Sequence, residues 1–420
     1  MRRFAQFVIA WEWVWLLALL PVALFLHGWI SLVLLLLPLL WGVRWVATRR
    51  FKPVTAYDTA VLLLAITVLI SLYAVFDIAL SFPKIIGVVF GIFLFYGAVA
   101  VTRQVKHGVW YLTAFFLLAG IGMAFVGLIG VSWTGPVAFL NRVKGVLPTA
   151  VSRIPGTIGG VINPNEMAGV LNWVAPLLIA LTIGLWRTLW AQRRQVWLLA
   201  LLGMAGFATF MLIATLSRGG VLSLGLSLLI MLAVATRWGR WLLVVAIIAG
   251  IGFAFYLDLN TIFSGDLSDS GQELGFSGRL EIWSRAIYGL QDFPFTGMSM
   301  NGFRRVVHIL YPLFLVSPDT DIVHAHNQLL QVGLDLGIPG LIAYLAIWGV
   351  SVALLWQSWH QTNSPVSRAL IVGLSGALAG GWFFGMLDAI TLGARPGFLW
   401  WILLALIVAA WDTAQSADSI

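Results

Sequence analysis

Long apolar runs, separated by short charged or Gly/Pro-containing breaks, dominate the chain from end to end. A bilayer hydrocarbon core of roughly 30 Å takes about 20 apolar residues per helix. Runs of that order occur at 8–26, 29–47, 57–75, 84–102, 108–131, 166–186, 196–216, 219–236, 241–258, 336–356, 369–387 and 397–411. The pattern predicts an all-α polytopic membrane protein of about twelve transmembrane helices. Two polar interruptions, 132–165 and 259–323, are far longer than the others. The chain divides accordingly into helices 1–5 (1–131), an outer loop with helices 6–9 (132–258), a large helical outer loop (259–335), and helices 10–12 with a tail (336–420). No internal repeat and no matching pair of broken helices suggests the inverted halves of many transporters.

Composition sharpens this picture. Of 420 residues, 61% are hydrophobic and 10% charged, against roughly 45–50% and about 25% in ordinary soluble domains, which excludes a water-soluble enzyme. Twenty-two tryptophans supply aromatic side chains for the two membrane interfaces. The absence of cysteine removes disulfides, thiolate nucleophiles and thiolate metal sites. A net charge of +8 reports topology in such a chain rather than nucleic-acid binding. Arg2, Arg3, Arg44, Arg49, Arg50, Lys52, Arg103, Lys106, Arg187, Arg193, Arg194, Arg237, Arg240 and Arg368 all fall on one side if the N-terminus is cytoplasmic. The positive-inside rule then places both termini in the cytoplasm and the two long loops on the outer face of the inner membrane. Residues 1–26 continue almost at once into a second apolar run without a small-residue cleavage pattern, so they read as a retained helix.

Candidate chemistry is concentrated on that outer face. Arg218 lies in LSRGG between two apolar runs; it either marks a helix end by snorkelling or presents its planar fork of donors to phosphate. Arg279 opens SGRLEIWSRAIYGLQDFPFTG, whose Ile282, Ala286, Ile287 and Leu290 predict a short helix lying on the membrane. Glu281 beside it suggests a local ion pair, and Glu281 and Arg285 are further polar groups able to meet substrate. His324, His326 and Asn327 meet the tenth span in HAHNQLLQVGLDLGIPGL. A histidine suits a general base near neutral pH, and Asn327 is placed to orient the site or hold substrate. A rival reading groups Asp319, Asp321, His324 and His326 as metal ligands, although nothing in their spacing enforces convergence. NPNE at 163–166 predicts a cap for the sixth span, with Asn165 as N-cap and Glu166 at the positive end of the helix dipole. Asp258, Asp335 and Asp388 stand near span ends without forming a chain of carboxylates across the bilayer.

Four segments together carry a resemblance: GTIGGVINPNEMAGVL at 156–171, TLSRGG at 215–220, GRLEIWSRAI with DFPFTGMSMNGF at 278–303, and HAHNQLLQVGLDLGIPGL at 324–341. In that order on a many-span scaffold, they resemble the bacterial O-antigen ligase and polymerase superfamily. The resemblance implies a membrane glycosyltransferase that moves a glycan from undecaprenyl pyrophosphate to an acceptor hydroxyl, with inversion and without a metal or other cofactor. It implies pyrophosphate binding by Arg218 and Arg279 and a catalytic base at His326. The acceptor is lipid A-core in a ligase, another carrier-linked glycan in a polymerase, and a protein hydroxyl in related enzymes. A small-anion transporter is the alternative from a different class, and it predicts polar lining through the spans. Here polar residues gather on one face instead.

Overall fold

The computed structural model describes residues 1–12, 14, 15, 18, 36–148, 151, 162–256, 276–390 and 392–417. Expected spans 8–26 and 29–47 lie partly outside them, as do His27, Asp258, 259–275 of the large loop and 156–161 of the first motif.

Among the described residues the chain is helical without strands. In hydrocarbon every backbone polar group must be satisfied within the segment, and a helix does this. The helices are α1 (Arg2–Ala10), α2 (Leu36–Thr48), α3 (Asp58–Ser71), α4 (Ile78–Gln104), α5 (Gly108–Gly130), α6 (Asn141–Val146), α7 (Pro164–Ala191), α8 (Gln195–Ala214), α9 (Arg218–Ala235), α10 (Arg237–Tyr256), α11 (Phe276–Asp292), α12 (Gly302–Leu310), α13 (Gln328–Gln361), α14 (Pro365–Leu387) and α15 (Gly397–Ala417). Eight of them, α4, α5, α7, α8, α9, α13, α14 and α15, are long and apolar enough to cross a membrane. The chain is an all-α polytopic membrane protein.

α15 is apolar all round and buried all round: every residue from Phe398 to Ala410 is at most 7% exposed. It packs on α4, α13 and α5. A second line of contact joins α7, α14 and α9, and small residues let these backbones approach. Gly220 lies against Ala168, and Gly373 against Leu177 and Ala180. Asn172, fully buried on α7, donates from Nδ2 to the carbonyls of Ala168 and Gly220, which ties the start of α9 to α7.

α3 meets α13 through a buried pair, Tyr57 Oη and Ser351 Oγ, 2.8 Å apart. Ser351 also bonds the Ile347 carbonyl, so Tyr57→Phe leaves no orphaned group. Hydrogen bonds between membrane helices average well under 2 kcal/mol. The substitution is therefore expected to cost about 1 kcal/mol, read as a small fall in the thermal transition of the detergent-solubilised protein. A loss as large as that from a core cavity would contradict this account.

α13 is two helices joined at a kink. Gly337 has φ 71 and ψ −177, a backbone region essentially confined to glycine, and Pro339 follows in the helix. The kink separates the Leu334 carbonyl from the Ile338 N–H, which would be partners in a continuous helix. Both groups are recovered from the large loop: Ile338 donates to the Pro294 carbonyl at 2.7 Å, and the Leu334 carbonyl accepts from Met298 at 2.6 Å. Gly297, at φ 63, permits the approach, since a Cβ there would stand 2.5 Å from the Leu336 nitrogen. DFPFTGM is thus the stitch that holds the loop to the N-terminal part of α13, residues 328–336.

Three expectations need correction. The stripe on α11 does not lie on the membrane. Ile282 and Ala286 are fully buried in a small core with Met298, Phe303, Val307 and Leu334, because α12, absent from the expected elements, covers them; Ile287 is left exposed. The N-cap of α7 is Asn163, whose side chain accepts from the Asn165 N–H, and not Asn165. Pro164 has no N–H to satisfy and suits the first helical position, which moves the cap one residue before it. The tenth expected span, 336–356, begins at the kink and omits 328–335, which is helical and packs with α11 and α12.

Candidate active site

α13 is capped at its N-terminus by Asn327, whose Oδ1 accepts from Leu329 and Leu330 at 3.0 and 3.1 Å, while Nδ2 donates to the Met386 carbonyl at 3.2 Å. That last bond draws the HAHN segment to the end of α14. Immediately beyond α14, Asp388 meets both histidines. His326 Nδ1 is 3.1 Å from Asp388 Oδ1, and His324 Nδ1 is 3.7 Å from the same oxygen. The imidazole rings lie 4.5 Å apart, edge to face.

His326 itself has φ 48, in the left-handed region. Non-glycine residues enter it uncommonly and often at functional sites. Two bonds hold it there: its N–H donates to His324 Nδ1 at 3.3 Å, and its carbonyl accepts from Trp283 Nε1 at 3.3 Å. The tryptophan of GRLEIW therefore positions the histidine of HAHN. Burial opposes ionisation of Asp388, but the His326 hydrogen bond and the neighbouring His324 and Arg279 outweigh it and hold the carboxyl below its ordinary range. An ionised Asp388 can only accept, so His326 Nδ1 donates to it and Nε2 carries the lone pair. Burial pushes His324 the other way from a useful base, down to about 4, and its Nδ1 is engaged as an acceptor. Of the two histidines, only His326 has a bare nitrogen directed by a carboxylate. Its side chain is 19% exposed, so solvent and substrate can reach it.

Arg279 reaches this centre from α11. Its Nη1 donates to the Leu387 carbonyl at 3.0 Å, and its buried Nε has no partner among the described residues. Arg218 stands at the first turn of α9, capped by Ser217, which accepts from the Gly220 N–H at 3.2 Å. Its neighbour Gly219 faces Leu387, with Cβ to Cβ contact at 3.4 Å for any side chain placed there. Leu387 is thus the meeting point of both arginine-bearing segments, one residue before Asp388. The Arg218 side chain is exposed and makes no ion pair with a described residue. Glu166, in the first turn of α7, lies within electrostatic reach of Lys84, Arg395 and Asp388, so more charge borders the site.

Glu281 and Arg285 are placed elsewhere. The Glu281 carboxylate accepts from the N–H groups of Phe314, Leu315 and Val316, and Arg285 bonds the Pro312 carbonyl and pairs with Glu281. They shape the 312–316 turn rather than face His326, and Glu281 does not pair with Arg279. The suggested metal quartet is not assembled either: Asp321 pairs with Arg304, and Asp388 takes the place of Asp319 and Asp321 beside the histidines. Asp388 is the residue that sequence reasoning underrated, since 62 positions separate it from His326.

Three of the four segments, at 215–220, 278–303 and 324–341, fall within one family match. Residues 205–345 match the family model described as O-antigen ligase. The match supports membership of the O-antigen ligase superfamily. The matched region runs from α8 through the kink of α13 and so contains Arg218, Arg279, His324, His326 and Asn327. Asp388 lies beyond it. A search of curated proteins finds no match. The family implies a membrane enzyme of ligase or polymerase type.

Proposed function

We propose that the protein transfers a glycan from undecaprenyl pyrophosphate to an acceptor hydroxyl at the outer face of the inner membrane, with inversion and without a metal cofactor. The observation that carries this reading is the His326–Asp388 pair held beside Arg279 at the end of α14. Asp388 fixes the tautomer, and His326 Nε2 takes the proton of the acceptor hydroxyl as its oxygen attacks the anomeric carbon. The bond from that carbon to the pyrophosphate oxygen breaks on the opposite face, and its electron pair leaves with the carrier. Arg218 and Arg279 neutralise the departing pyrophosphate, and Arg279, part-buried, acts there as a fixed cation. The leaving group already stores the energy of transfer, so no nucleotide is consumed. The positive-inside pattern supports cytoplasmic termini and an outward-facing site. Lipid A-core is the acceptor favoured by one dominant outer loop in the C-terminal third; another carrier-linked glycan makes the same site a polymerase.

Purified protein in nanodiscs, given a carrier-linked glycan, candidate acceptors and a chelator, is expected to form glycosylated product. Arg279→Ala is expected to lower the rate about 10²–10³-fold, the range for removing one charge-stabilising donor. Arg218→Ala acts in the same direction and raises the donor KM. The acceptor that works separates ligase from polymerase. Solute flux in liposomes without transfer to any acceptor would overturn the reading in favour of a transporter.

A further inference from the structure

His324, His326 and Asp388 offer two imidazole nitrogens and a carboxylate oxygen, all within 4.8 Å of one another. The two measured separations, 3.1 and 3.7 Å, straddle the value of about 3.3 Å between ligand atoms of a tetrahedral zinc ion with bonds near 2.0–2.1 Å. His324 Nδ1 carries a lone pair, now turned toward the His326 N–H at 3.3 Å, and a metal ion there displaces that hydrogen bond. Three protein ligands with an open fourth position is the arrangement of accessible rather than closed zinc sites, and the side chains of both histidines are partly exposed, at 16% and 19%.

We propose that this triad is an inhibitory binding site for Zn²⁺ or a similar borderline divalent ion, which shuts off the transfer reaction by seizing the base. The proposal rests on the reading of His326 as that base. In the metal-free enzyme His326 carries its proton on Nδ1, facing Asp388, and its lone pair on Nε2. A metal ion between His326 Nδ1 and Asp388 takes the Nδ1 lone pair, so the ring proton moves to Nε2. The nitrogen that must accept the hydroxyl proton is then already protonated, and Asp388 is spent as a ligand. Arg279 and Lys84 lie close enough to oppose a cation, and Glu166 on α7 favours it. Affinity is therefore lower than at a closed structural zinc site, so that occupancy follows the zinc concentration outside the membrane.

The test uses the full-length protein in detergent. Co²⁺ binding is followed by its visible absorption, and Zn²⁺ by competition with a chromophoric chelator; neither readout needs transfer activity. One ion per chain is expected, with binding weakened at least about tenfold in both His324→Gln and Asp388→Asn and unchanged in His308→Gln, a loop histidine outside the triad. Thermal transitions without metal identify any variant that fails to fold, and the other then decides. In the transfer assay Zn²⁺ is expected to stop the wild-type reaction and a chelator to restore it. Absence of a one-to-one site, or binding equal in wild type and both variants, overturns the proposal. Failure of metal-free transfer, with the binding site intact, overturns the base reading instead.

Discussion

Replacing His326 by alanine is expected to lower glycan transfer about 10²–10⁴-fold, the contribution of a well-placed general base, without lowering the thermal transition. Asp388→Asn is expected to fall to a similar floor. An asparagine can donate to His326 Nδ1, and the ring then settles with its proton on Nε2, the wrong tautomer for accepting one from the acceptor. Since the two residues act as a unit, the double variant should be no slower than the slower single one. A residual rate is expected from the proposed neutralisation of the leaving pyrophosphate by Arg218 and Arg279. Single-turnover rates with saturating donor test this directly. Retention of more than about a tenth of the rate in His326→Ala would remove the base from the mechanism, and strictly multiplicative losses would give Asp388 a separate task.

The second large effect is on folding. Gly337→Ala places a Cβ 2.7 Å from the carbonyl carbon and oxygen of Phe295 and 2.8 Å from the Pro294 oxygen, all backbone atoms that cannot swing aside. The substitution also forces an L-residue into a conformation that favours glycine alone, at a cost of about 1–3 kcal/mol. Relief requires the 294–298 segment to withdraw, which breaks the Ile338–Pro294 and Met298–Leu334 bonds at about 1 kcal/mol each. The expected destabilisation is roughly 3–5 kcal/mol. Gly349→Ala on the same helix is the control: a Cβ there meets nothing within 4 Å, and alanine is the better helix former. Thermal unfolding of the two variants in detergent should diverge accordingly. Equal transitions would mean that the loop is not stitched to α13 as described.

Apolar run length alone located the interior helices closely, as with 108–131 against Gly108–Gly130, because a segment in hydrocarbon has little choice but to be helical. It failed where a helix leaves the apolar layer without ending. Gln328, Gln331 and Asp335 made 328–335 look like loop, yet Gln331 Nε2 and the Asn301 N–H both donate to Asp335 Oδ1, and polar groups so satisfied sit comfortably in a buried helix. The start of α4 was missed for a related reason. Lys84 and Pro83 suggested a boundary at 84, whereas Asp77 caps the helix by accepting from Ala79 and Leu80. At the candidate site, Arg218, Arg279 and His326 were singled out by motif resemblance. Asp388 was not, because a lone carboxylate at a span end carries no spacing signal until the fold brings α14 to the HAHN turn.

The placement of α15 sets an order on biosynthesis. This helix follows all the other described helices in the chain, yet it is buried on every side from Phe398 to Ala410, walled by α4, α5 and α13. Its partners therefore leave the insertion machinery long before it does, and they must keep a slot of its shape open or close it only loosely in the meantime. Two distant ties, Arg103 to Asp412 and Tyr57 to Ser351, likewise join early helices to late ones. The partnership of His326 with Asp388 belongs to the same late stage, since Asp388 is added only after α14. On the proposed mechanism, a partly synthesised chain carries Arg218 and Arg279 but lacks the carboxylate that pairs with His326, and it is expected to stay inert until synthesis has passed α14.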